Sequence, residues 1–86
     1  MKSLIKNYID LLNSNKLKEF ASKNNINLKD SEIQYLLNLV KHNFEDILKD
    51  DTKYLNEVKN NINPNEYEKI INLYTHYKNR YKGYLF

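Results

Sequence analysis

The sequence predicts an all-α fold, a small bundle of about five short helices, and three observations carry that prediction. Apolar residues recur at three-and-four spacing along most of the chain. The periodic segments are separated by short runs of Asn, Ser and Asp, residues whose side chains accept the backbone N–H groups left open at a helix start. One Gly and one Pro among 86 residues leave no turn-rich linker, so the chain is read as one helical domain over 1–86. A chain this short buries roughly 60% of the surface its unfolded state exposes, enough for one core.

Leu4, Ile5, Tyr8, Ile9, Leu11 and Leu12 place an amphipathic helix over 3–13, ended by Asn13-Ser14-Asn15. The same three residues cap a short second helix marked by Leu17, Phe20 and Ala21 and closed by Lys23-Asn24-Asn25. Ile26-Asn27-Leu28 alternates apolar and polar residues, as an extended connector inserting two side chains into the core would. A third helix is expected from about Asp30 to His42, with Ile33, Leu36, Leu37 and Val40 on its inner face and Asp30 and Glu32 near its positive N-terminal end. Phe44, Ile47 and Leu48 add a further short turn or helix. Asp50-Asp51-Thr52 caps a fourth helix over about 52–61, marked by Tyr54, Leu55, Val58 and Ile62. Asn63, Pro64 and Glu66 form the strongest start signal: a cap, a first-turn proline and a carboxylate placed for a reciprocal bond to the Asn63 N–H. The fifth helix then runs from Pro64 to about Tyr81 through Tyr67, Ile70, Ile71, Tyr74 and Tyr77, with Gly83 available to end it.

Lys23-Asn24-Asn25-Ile26-Asn27 recurs as Lys59-Asn60-Asn61-Ile62-Asn63, and the stretch from Leu36 to His42 parallels that from Ile70 to His76 at a slightly shorter offset. Two similar helix–loop–helix halves packed face to face are the expected result, against the alternative that an Asn-, Lys- and Ile-biased sequence matches itself by chance. That bias matches the coding preference of an AT-rich genome.

Composition excludes several functions. Without cysteine there is no disulfide, thiolate metal site or thiol nucleophile, and an intracellular, cytoplasmic setting is expected. No apolar run reaches the roughly 20 residues of a membrane span, and the start is broken by charge before any signal-like core forms. Gly83 alone cannot build a phosphate-cradling loop, and Ser3, Ser14, Ser22 and Ser31 read as caps or surface residues rather than nucleophiles. His42 and His76 occupy corresponding places in the two halves, yet neither has a metal-ligand partner at useful spacing. Glu45, Asp46, Asp50 and Asp51 are the densest acidic stretch, but Leu48 and Lys49 stand where a calcium loop needs ligands; a solvated helix start is the reading adopted. No catalytic residue, cofactor or metal is expected.

The locally unusual stretch is His76-Tyr77-Lys78-Asn79-Arg80-Tyr81-Lys82-Gly83-Tyr84, in which three cations alternate with three tyrosines. Cations neutralise phosphates while rings stack on unpaired bases, so the pattern suits nucleic acid. The preferred reading is that Tyr77 and Tyr81 continue the core stripe while cations gather at the negative end of the helix. The net charge of +3, from 14 basic and 11 acidic residues, names no partner.

Leu17-Lys18-Glu19-Phe20-Ala21 with Asn25-Ile26-Asn27-Leu28, then Asn43-Phe44, then Asn63-Pro64 leading into Ile71-Asn72-Leu73-Tyr74, resembles a small family of uncharacterised cytoplasmic proteins from Bacillus and its low-GC relatives. The pattern covers most of the chain through loose hydrophobic and capping signals, and Lys29 replaces the family's usual Ser or Thr before the central helix. The resemblance implies an all-helical fold with no assigned activity. Segment 16–40 is also similar to helix–extended loop–helix modules of the SAP type, which bind DNA through basic helix starts, whereas Asp30 and Glu32 make this start acidic.

The leading expectation is a non-enzymatic adaptor or inhibitor that binds another protein, or a second copy of itself, through an apolar, tyrosine-bearing helical face. Tyr74, Tyr77, Lys78, Arg80, Tyr81, Lys82 and Tyr84 are the candidate contact residues, with Phe86 completing an exposed patch. The alternative is a weak nucleic-acid-binding module using Lys78, Arg80 and Lys82 with Tyr81 and Tyr84. An enzyme subunit whose site is completed by a partner ranks third.

Overall fold

The computed structural model describes residues 2–80, with side chains from residue 6 onward. Within them the chain forms five helices and no strand: α1 (Lys2–Leu11), α2 (Ser14–Lys23), α3 (Asp30–Lys49), α4 (Thr52–Asn61) and α5 (Pro64–Arg80). The all-helical bundle read from periodicity is the fold observed.

α3 is the central element, and it is longer than its sequence suggests. The expected stop at His42 does not occur, and Phe44, Ile47 and Leu48 belong to the same helix. Nothing at 42–43 breaks the backbone, because the polar side chains are absorbed locally. Asn43 donates to the Leu39 carbonyl at 2.9 Å, and His42 Nδ1 lies 2.9 Å from the Asn38 carbonyl oxygen. The helix is buried on two sides. Leu37 and Leu39, both buried, stand about 200° apart around the axis. Leu39 packs with Tyr54, Val58 and Ile62, against which Tyr35, Leu36, Ile47, Tyr67 and Ile70 close the core.

α2 packs on α3, α4 on α5, α3 beside α4, and α1 against α3. α1 extends over a shorter range than 3–13, since Asn13 leaves the helix to cap α2, its Oδ1 accepting from the Lys16 N–H at 2.9 Å. The α1 apolar stripe is also wider than its contact with the core: Leu12 is buried and Ile9 half-buried, while Tyr8 and Leu11 face solvent at 64% and 69% exposure.

The two loops preceding α3 and α5 differ in length but meet. After α2, Asn25 adopts the left-handed conformation (φ 60°), which Asn tolerates better than other residues bearing a Cβ. That twist lets Asn25 N–H reach the Ser22 carbonyl and Ile26 N–H the Ala21 carbonyl, closing the helix end. Ile26 is then buried, as is Ile62 at the other loop. The reciprocal bond expected between Glu66 and Asn63 is replaced by an exchange between halves. Glu66 Oε2 accepts from the Asn27 N–H at 3.0 Å, and Glu32 Oε2 accepts from the Asn63 N–H at 2.9 Å. Each loop is thus capped by the carboxylate that opens the other half's second helix. Glu32 also accepts from the Lys29 N–H at 2.9 Å, while the Lys29 side chain, a donor only, makes no capping bond.

Candidate functional site

The candidate residues of α5 separate by the face they occupy. Tyr74 points inward, where its hydroxyl donates to Asp51 Oδ2 at 2.7 Å, and Lys78 Nζ, one turn later, reaches the same oxygen at 2.7 Å. The Asp51 side chain is 12% exposed. Burial pushes its carboxyl upward, but donation from Lys78 and Tyr74 together with the Lys78 charge outweighs that effect and holds it below the usual carboxylate range. Tyr74 shifts the other way: burial first, then the Asp51 hydrogen bond and charge, raise its phenol well above the ordinary value.

This cluster corrects two expectations. Asp51 is not a solvated helix cap. It sits at the N-cap position of α4 with helical backbone angles and no capping bond, while Asp50 Oδ1 accepts the Thr52 N–H at 3.1 Å. Nor is Tyr74 part of an exposed patch, since it is half-buried and engaged within the chain. The acidic run 45–51 masked the role of Asp51; the signal that could have found it is the pairing of a cation and a tyrosine one turn apart on α5.

Tyr77 faces outward at 37% exposure, beside Phe20 of α2 at 38%. Their ring centroids lie 6.2 Å apart at 46°, and the His76 ring meets Tyr77 edge-on at 5.5 Å. α2 and α5 therefore present a joint aromatic ridge. Phe20 was not among the residues expected at this surface, because its three-and-four spacing with Leu17 and Ala21 reads as core. Arg80 is exposed at the end of the described helix. Tyr81, Lys82, Gly83, Tyr84 and Phe86 lie outside the described residues.

An open groove of about 530 Å³ is lined by Leu39 and Asn43 of α3 and by Lys53, Tyr54, Asn56, Glu57 and Asn60 of α4. Tyr54 closes its base, its hydroxyl donating to Asp46 at 3.2 Å and lying 3.5 Å from Asn43 Oδ1. Burial, then the charge of and bond to Asp46, raise this phenol also. Among the described residues no three His, Asp or Glu side chains converge as a metal site would require, and no helix is long and apolar enough to cross a membrane.

No family model, curated protein or solved structure matches this chain.

The arrangement of side chains is therefore the guide to function. It offers an aromatic ridge, a polar groove and an internal carboxylate whose hydrogen-bonding oxygen is already taken.

Proposed function

We propose that the protein is a non-enzymatic, cytoplasmic interaction module, an adaptor or inhibitor that binds another protein through the aromatic ridge of α2 and α5. The observation that carries this reading is the exposure of Phe20 and Tyr77 side by side on two different helices. Aromatic side chains bring large contact area at small entropic cost and concentrate in the centres of protein interfaces. The nucleic-acid alternative loses support, because Lys78, the first cation of the basic stretch, is committed to Asp51.

Affinity capture from the native host, with and without nuclease and across a salt series, tests the reading against a ridge variant combining Phe20→Ser and Tyr77→Ser. A protein partner that survives nuclease and moderate salt and is lost with the variant is the expected outcome. Loss of at least about 2 kcal/mol of binding, roughly 30-fold in affinity, is expected for a central aromatic pair. Binding that disappears with nuclease and falls steeply with salt would instead favour the basic C-terminal stretch.

A further inference from the structure

We infer that Asp50 is a hinge through which α3 and α4 can fuse into one helix, letting two copies of this chain exchange their α4–α5 hairpins. The partner is a second copy, and the inference does not depend on the aromatic ridge.

Three observations converge on it. The link between α3, ending at Lys49, and α4, starting at Thr52, is two residues long, and only one of them departs from helix: Asp51 is already helical (φ −87°, ψ −11°), whereas Asp50 is extended (φ −156°, ψ 107°). Second, no Gly or Pro marks the break, and the helical spacing of one face runs through it, with Asp51 as its single charged position. Ile33, Leu37, Val40, Phe44, Ile47, Asp51, Tyr54 and Val58 follow one another at alternating spacings of four and three, so a helix from 30 to 61 would carry them on one face for about 38 Å. Third, the contacts between halves are reciprocal. Glu66 caps Asn27, Glu32 caps Asn63, and Tyr35 lies against Asn61, and each of these can be made equally between two chains. The Asp51–Tyr74–Lys78 cluster stays intact on exchange because α4 and α5 move together.

What holds the closed form is the short side chain of Asp50, which accepts the Thr52 N–H. As a carboxylate it would also face Asp46 one turn away if the helix continued. Short hinges between packed elements are where exchange of identical elements arises at low cost.

The chain has no cysteine, so a Tyr35→Cys/Asn61→Cys pair can be joined cleanly by a short thiol cross-linker. In the closed monomer the link forms within a chain; in the exchanged dimer it joins two chains. After refolding at high concentration, Asp50→Ala is expected to raise the dimer fraction at least tenfold, with interchain links in the dimer. Asp50→Gln, which keeps a polar surface, should behave alike if the alanine variant does not fold, and Asp50→Asn, still able to cap Thr52, should remain monomeric. Ala and Gln variants that stay monomeric, or a dimer whose links are all intrachain, would overturn the inference.

Discussion

The α2–α3 hairpin and the α4–α5 hairpin share a layout but are held differently. The first buries residues on both of its helices, Ala21 on α2 and Ile33, Leu37 and Leu39 on α3, with Ile26 between them, whereas the second buries Tyr54 and Val58 on α4 and Ile62 in its loop but no described residue of α5. α5 lends Tyr67 and Ile70 to the core only as partly buried side chains, and polar ties add to their hold: Glu66 to the Asn27 N–H, Lys69 Nζ to the Asn25 carbonyl at 3.1 Å, and Tyr74 and Lys78 to Asp51. A helix held this way keeps a half-exposed apolar face, and Tyr77 stands on it. A similar layout thus goes with different burial, and Tyr77 meets Phe20 of the first hairpin on the less buried helix.

The largest effect should come from the first half's core. Ile33 is 2% exposed, and Ile33→Ala is expected to cost about 2–5 kcal/mol in denaturant unfolding, with the alanine replacement of any half-buried apolar residue of α5 costing less. The polar ties come next. Asp51→Ala leaves the Tyr74 hydroxyl and the Lys78 ammonium without their shared acceptor and should cost about 1.5–3 kcal/mol. Hydrogen exchange should locate the loss, with α5 amides exposed well before those of α3. A double-mutant cycle with Tyr74→Phe should show coupling.

The sign of the pH dependence follows from the same groups. Asp51 has a lowered folded-state value, so its contribution is complete above its ordinary value of 3.8 and is lost as pH falls through the folded-state one. The phenols of Tyr74, Tyr54 and Tyr35 are raised, by burial first in each case, so their contribution is complete below pH 10.0 and is lost as pH rises through their folded-state values. Alkaline unfolding monitored by phenolate absorbance should therefore begin above pH 10, and stability should fall less steeply with rising pH in Tyr74→Phe. Smaller still, Glu32→Ala and Glu66→Ala should each remove about 1 kcal/mol, and similar values for the two would support the reciprocity of the halves.

Helix number, the caps at Asn13 and the start at Pro64 were legible because they rest on local signals: apolar spacing and residues suited to open N–H groups. The length of α3 was not, since Asn43 reads as a stop until its amide is seen bonded to its own helix. Asp51 and Glu66 were misassigned for a related reason. Each lies where a local cap would use it, but the tertiary fold offers partners 23 and 39 residues away, and no local pattern encodes that choice. Phe20 and Tyr77 were separable from core positions only once the fold set their rings 6.2 Å apart at the surface.

The most direct test of the division between the inner and outer faces of α5 compares Tyr74→Phe with the Phe20→Ser/Tyr77→Ser variant in one partner-binding and stability assay. The account predicts that Tyr74→Phe lowers stability and leaves partner affinity within about twofold. The ridge variant should remain folded in denaturant unfolding while reducing affinity by roughly 30-fold or more. A ridge variant that binds as the native protein does would contradict it.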